Sequence, residues 1–293
     1  MKHVEPKVYL IARSLPEGAR IADWLADWLK DHGCKPKTVD RILGRGEDAE
    51  DKTEGDVIVE AAGRRCYTSF EPKLNPNVTK IREDIGEYID NILKSGHGSV
   101  IEHVSYTFAI ENVSRVFTGE MNRHRAGMAI SEGSMRYIRF DDIPYWVPTS
   151  IQSSPEDLEA ACGDESLRPI EEKKKATRDI FDKAFKQAED CYKELLAIWS
   201  DDLADDSKFK DKKNVTSMMR RIIPMGVASG DIWTGNLRAW RHVITMRGSA
   251  VAEEEIHLVA CLLFEELVKE EPHFFKDFVR GEDGFLRPKY TKV

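Results

Sequence analysis

Between Val104 and Ile110 the chain alternates strictly, with Val104, Tyr106, Phe108 and Ile110 large and apolar and Ser105, Thr107 and Ala109 small or polar. A period of two marks a strand with one face in a core and the other facing outward, so this segment requires a sheet. Its neighbours follow a different period. Ile81, Ile85, Tyr88, Ile89, Ile92 and Leu93 recur at helical spacing and stop near Gly96. Phe181, Ala184, Phe185, Ala188, Cys191, Tyr192, Leu195 and Trp199 do the same further on. A helix is expected from near Ser114 toward Arg125, and two more over roughly 232–247 and 250–269. Many helices around a small sheet predict an α+β fold.

The ends are read from the same signals. Val8–Ala12 is apolar enough for a short strand, and an amphipathic helix follows with Ile21, Trp24, Leu25, Trp28 and Leu29 on one side and Gly33 as its stop. Residues 35–55 are polar and read as a connector. The first 55 residues are then an appendage packed on a main domain spanning 56–293, since so short a piece rarely builds its own core. It could extend the sheet or cover one of its edges. The Ser-, Pro- and acid-rich stretch 149–170 reads as a surface loop, 171–175 as the solvated start of a helix, and 287–293 as a mobile tail.

A hydrophobic fraction of 41% with 33% charged residues allows a globular core. No stretch reaches the roughly 18 apolar residues of a membrane span, and the N-terminus has no export pattern, so a cytoplasmic protein is expected. The five cysteines (Cys34, Cys66, Cys162, Cys191, Cys261) are odd in number and form no C-x-x-C pair, which argues against a disulfide framework or structural zinc. Cys191 and Cys261 fall at apolar helical positions and read as core. A net charge of −8 argues against a general nucleic-acid binder. The arginines nevertheless cluster. Arg115, Arg123, Arg125, Arg136 and Arg139 lie within 25 residues, and Arg220, Arg221, Arg238, Arg241 and Arg247 within 28. Two local arginine clusters in an acidic chain suggest pockets for small anions.

Arg123-His124-Arg125 cannot turn three such side chains into an apolar core, because burying unpaired charge is costly. They form either a solvated face, paired with carboxylates such as Glu120 and Glu132, or an anion site. Ser131-Glu132-Gly133-Ser134-Met135-Arg136-Tyr137 adds small positions where backbone N–H groups and Ser134 can approach a phosphate, with Arg136 closing on it. His97, Glu102 and His103 lack the spacing of a zinc helix; Glu102 and His103 more simply tie a strand to a helix. No metal site is expected.

Arg123–Tyr137 resembles the signature of flavin-dependent thymidylate synthases: R-H-R, a short loop, then serine, one residue, arginine and tyrosine. Eight residues separate Arg125 from Ser134, where the motif most often has seven. The difference falls in the loop at 126–130. Upstream, Gly96-His97-Gly98-Ser99-Val100-Ile101-Glu102-His103 resembles the family's G-H-x-[ST]-x-x-E-H. Downstream, Arg220–Pro224 and Trp233–Arg238 resemble its R-x-x-x-P and W-x-x-N-x-R, and Met246-Arg247-Gly248-Ser249 follows. His242 stands where many members have asparagine, and Glu120 where some have glutamine.

The resemblance implies a small, mostly antiparallel sheet with a large helical layer. It implies that Glu120, Arg123, Glu132, Ser134, Met135, Arg136, Arg220 and Arg247 bind dUMP. It places Ser99, Arg123, His124, Arg125, Glu132, Asn236, Arg238 and His242 on FAD, and His97 near the folate or nicotinamide. The implied reaction is reductive methylation of dUMP to dTMP, with methylenetetrahydrofolate as carbon donor and FAD reduced by NADPH. The implied assembly is a homotetramer with sites shared between chains. Arg247 is the candidate for activating the uracil ring, because a guanidinium stays protonated at any working pH. Asn236 and Arg247, 11 residues apart, are expected on one face of a single helix, with Arg238 and His242 on another. Two rivals remain: a related flavoprotein that transfers another one-carbon unit, and a non-catalytic nucleotide- or RNA-binding module with Tyr137, Tyr145 and Trp146 as stacking platforms.

Overall fold

The computed structural model describes residues 1–45, 51–140 and 142–293. A two-residue strand β1 (Lys2–His3) and β2 (Lys7–Arg13) precede helices α1 (Gly18–Asp31) and α2 (Lys37–Ile42). Next come α3 (Glu54–Tyr67), α4 (Ile85–Lys94), α5 (Gly98–Ile101), strand β3 (Ser105–Ser114) and α6 (Arg115–Met121). Strands β4 (Met128–Glu132) and β5 (Pro144–Tyr145) lead into α7 (Pro155–Gly163), α8 (Arg168–Ile198) and α9 (Phe209–Met219). The chain closes with β6 (Ala228–Asn236), α10 (Leu237–Arg247), α11 (Glu254–Glu270), α12 (Pro272–Phe275), β7 (Phe278–Arg280) and β8 (Leu286–Pro288).

The main sheet runs β2-β3-β6-β4 and is antiparallel throughout, as expected. The alternation that demanded a strand does its work here. Tyr106, Phe108 and Ile110 are buried against α4, α10 and α11, whereas Thr107 lies on the outer face and its Oγ1 meets that of Thr234 at 2.9 Å. Strand β2 extends the sheet at one edge. A second apolar cluster gathers Met135, Phe140, Tyr145, Phe185, Tyr192 and Met219 beneath the long helix α8. A third packs Leu25, Leu29 and Ile42 against Ala61 and Phe70, fastening α1 and α2 to α3.

Several expectations need correction. The stretch 35–55 is not a plain connector: α2 occupies Lys37–Ile42 and α3 starts at Glu54, while 46–50 lie outside the described residues. Helix α3 begins with a capping box in which Thr53 and Asp56 satisfy each other's backbone N–H. Within 149–170, Ser154 caps α7 in the same way with Asp157, and Pro155 occupies its first turn. The segment 232–247 is not one helix. Ile232 and Thr234 alternate with buried Trp233 and Gly235, and β6 pairs on both sides. Gly235 is required there, because a Cβ would come within 2.4 Å of Met128 Sδ and 2.9 Å of Trp240 Nε1. The turn 126–127 uses Gly127 at φ +71°, and the rest of the expected 126–130 loop is strand β4. Cys191 is exposed rather than core, because it lies on the outward face of α8; Cys261 is buried. The tail is tied down: Tyr290 Oη donates to Asp90 at 2.9 Å, and the carbonyl of Val293 accepts from Arg238 Nε at 3.0 Å.

Candidate active site

Helix α6 organises the site. Its N-cap, Ser114, accepts from the N–H groups of Val116 and Phe117, and is itself held by the buried Glu255 of α11. Ser114 N donates to Glu255 Oε1 at 2.7 Å and Ser114 Oγ donates to Oε2. One face of α6 turns Arg115, Thr118, Gly119 and Asn122 toward a cavity of about 530 Å³. The far wall is the turn after β4, with Glu132, Gly133, Ser134 and Met135, and the end of α9, with Arg220. Four of the residues expected on dUMP (Glu132, Ser134, Met135 and Arg220) thus share one cavity, although up to 88 positions separate them. Gly133 permits the close turn: a Cβ would lie 2.8 Å from the carbonyl oxygen of Gly230. Its N–H bonds that carbonyl at 3.0 Å and the buried Asp231 carboxylate at 3.3 Å. Burial raises the pKa of Asp231.

Arg247 does not line this cavity in the single chain. It ends α10, where Nη1 donates to Glu120 Oε2 at 2.6 Å and Nε donates to His124 Nε2 at 2.9 Å. Burial, with Arg247 and then His242 nearby, depresses the His124 pKa to about 4. His124 is therefore neutral near pH 7 and serves as acceptor. His242 lies edge-on to it with ring centroids 5.8 Å apart. Glu120, His124, His242 and Arg247 form this second group.

A third group lies where α5 meets the start of α10. Arg238 Nη1 donates to Glu102 Oε1 at 2.6 Å. Gly98 is needed beside it, since a Cβ would approach Arg238 Nε to 2.6 Å. Ser99 is exposed next to Gly98. Asn236 is not a residue of the helix, as the one-face argument required, but its N-cap: Oδ1 accepts from Ala239 N at 2.8 Å. His97 stacks on Tyr67 at 5.5 Å and opens onto a separate cavity of about 310 Å³ that Arg64 and Tyr88 also line. Arg123, Arg125 and Arg136 are exposed and join none of these groups within one chain.

The donor set fits a flavin dinucleotide. Exposed Arg123 and Arg125 carry charge suited to a diphosphate, and they flank a neutral imidazole able to meet an uncharged ring edge. Two of the proposed stacking platforms are withdrawn from any RNA: Tyr145 and Trp146 are 5% and 4% exposed. Sequence reasoning passed over Arg115, Asn122 and Gly119 as site residues. Arg115 was visible only as a member of the arginine cluster. Asp231 had no signal, because a lone carboxylate does not announce what it faces, and Glu255 was hidden as the third of three consecutive glutamates whose other two head α11.

The fold and the cavity define an antiparallel α+β protein with an arginine-lined cavity of about 530 Å³. Residues 50–273 match the family described as "Thymidylate synthase complementing protein". Proteins called flavin-dependent thymidylate synthase are similar to this chain. That of Mycobacterium avium is 35% identical over 231 residues, covering 78% of this chain and 81% of that protein. That of Mycolicibacterium vanbaalenii is 34% identical over 229 residues, with the same coverage. The chain belongs to this family, the flavin-dependent thymidylate synthases. Among solved structures, the UMP/dUMP methylase PolB from Streptomyces cacaoi bound with 5-Br UMP shares the fold, with a TM-score of 0.55 at 18% identity over 94% of each chain. No helix among the described residues is long and apolar enough to cross a membrane.

Proposed function

We propose that this chain methylates C5 of dUMP to give dTMP, with methylenetetrahydrofolate as carbon donor and FAD reduced by NADPH. We take it to work in the cytoplasm as a homotetramer, with 56–293 as the catalytic domain and 1–55 as an appendage on it. The observation that carries this reading is the cavity shared by Glu132, Ser134, Met135 and Arg220. Arg220 has no carboxylate partner there among the described residues, so its guanidinium is available to a phosphate.

Within that reading, Ser134 and Arg220 hold the nucleotide phosphate and fix the pyrimidine ring. Among the described residues Ser134 has no base in contact, its Oγ accepting from Arg136 N at 3.4 Å, so it binds rather than attacks. Arg123 and Arg136, exposed in one chain, complete the anion site where subunits meet. Arg247 stabilises negative charge that develops on the uracil as C5 becomes nucleophilic. Glu120 and neutral His124 grip two edges of its guanidinium and leave Nη2 without a partner among the described residues, ready for a ring oxygen. Arg123, Arg125, His124, Arg238, His242, Ser99, Asn236 and Glu132 would hold the flavin, and His97 the folate or nicotinamide. When bound, the flavin supplies the hydride that turns the transferred methylene into a methyl group. The proton at C5 is lost, and tetrahydrofolate and NADP⁺ are the other products.

The test is tritium release from 5-tritiated dUMP. Release that needs methylenetetrahydrofolate, NADPH and FAD together supports the reading. A yellow protein that binds dUMP but releases no tritium with this donor would point to a relative using another one-carbon unit.

A further inference from the structure

Arg115 is the most constrained cation in the cavity. Its side chain is 15% exposed, and each of its three nitrogens faces the turn after β4. Nη1 pairs with Glu132, Nη2 donates to the carbonyl of Gly133 at 2.6 Å, and Nε lies 3.2 Å from Met135 Sδ. Arg220 lines the same cavity, close enough to join burial in lowering the Arg115 pKa, against the stronger opposite pull of the buried Asp231 carboxylate. Two like charges held together in a partly desolvated space repel each other, and of the carboxylates only Glu132 lines the cavity with them. Glu132 is itself 31% exposed and has a second partner, Asn122 Nδ2 at 3.4 Å, so it can let go of Arg115 without losing every contact. What the arrangement lacks is a compact dianion with several acceptor oxygens, which two guanidinium forks bind better than one carboxylate does.

We propose that Arg115 and Arg220 together clamp the phosphate of the nucleotide, Arg115 exchanging Glu132 for it on binding. This rests on the nucleotide reading above and deepens it by adding a phosphate ligand that the sequence motifs do not mark. The exchange also gives the site a sense of occupancy. Arg115 keeps its bond to the carbonyl of Gly133 throughout, so the turn that carries Ser134 and Met135 stays in place while Glu132 swings free.

Calorimetric titration of the flavin-loaded protein with dUMP and with deoxyuridine, which lacks the phosphate, separates binding from scaffolding. Losing a charge-assisted fork should raise the Kd for dUMP on the order of 10-fold in Arg115→Lys and about 100-fold in Arg115→Met, with deoxyuridine changed by less than about threefold. Equal weakening of both ligands would make Arg115 a scaffold for the turn and overturn the assignment. So would a dUMP Kd within about threefold of wild type in both variants. If Arg115→Met fails to fold, Arg115→Lys alone decides by the same ratio. A wild-type protein that binds no dUMP would sink the nucleotide reading itself, and this clamp with it.

Discussion

Arg247 Nε donates to His124 Nε2 across 2.9 Å, and that one bond ties the protonation of an imidazole to the aim of a guanidinium. The bond exists only while His124 is neutral. Its pKa, depressed by burial and by Arg247 to about 4, keeps it so through the neutral range. For a histidine depressed in the folded state, the unfolded chain binds more protons between the two values. Its contribution to stability is therefore complete above about pH 6.5 and is lost as pH falls toward about 4. The His124 ring resonances, followed by NMR, should titrate near pH 4. A midpoint near 6.5 would show that the bond to Arg247 does not form in solution.

Arg247→Lys keeps the charge but not the planar fork that Glu120 and His124 hold at two edges. Turnover should fall by ~10²–10³, the loss seen when one preorganised donor is removed from a developing anion. Tritium release from labelled dUMP measures it, and wild-type turnover would take Arg247 out of the mechanism.

Cysteine chemistry should be dispensable. Cys261 is buried with its pKa raised by burial, Cys66, Cys162 and Cys191 are exposed, and none of the five lines the arginine-bearing cavity. Replacing all five by serine or alanine should leave turnover within about twofold if the fold survives, since the thiolate nucleophile of a cysteine mechanism has no counterpart here. Loss of turnover from a single replacement, in a protein that still folds and binds dUMP, would contradict this.

Two buried carboxyls give stability the opposite pH dependence from His124. Burial pushes Glu255, at Ser114, and Glu271, which accepts from Gly55 N at 3.1 Å and from Tyr106 and Thr53, each up to about 7. The folded state then binds more protons than the unfolded one between about pH 4.5 and about pH 7, so stability declines as pH rises through that window. His273, raised by its hydrogen bond with Asp56, acts in the same sense. Urea unfolding from pH 6.5 upward, where the His124 contribution is complete and no longer varies with pH, should show this decline. Glu271→Gln should flatten it, and an unchanged slope in that variant would mean Glu271 is ionised when folded.

Glu255→Ala tests how α6 is held. It would leave the N–H and hydroxyl of Ser114 buried without their acceptor, a cost of about 1–3 kcal/mol for each group. A drop in Tm together with a rise in the KM for dUMP is expected, because the same helix carries Arg115 and Glu120. A variant with an unaltered KM would show that α6 keeps its position by apolar packing alone.

The sequence by itself determined the elements whose pattern is local. The period of two in β3, the helical stripes of α4 and α8, and the ordered polar segments that bear the family signature all depend on neighbours a few residues apart. Only the tertiary structure decided the rest. The end of strand β6 reads in sequence as the first turns of a helix that in fact starts at Leu237, and pairing with β3 and β4 settled the choice. Asn236 moved from the face of that helix to its cap for the same reason. Which arginines face one another is set by how α6, the turn after β4 and the end of α9 pack, over a separation of about a hundred residues. A guanidinium's role follows from what stands opposite it, and that partner is chosen by the fold of the whole chain.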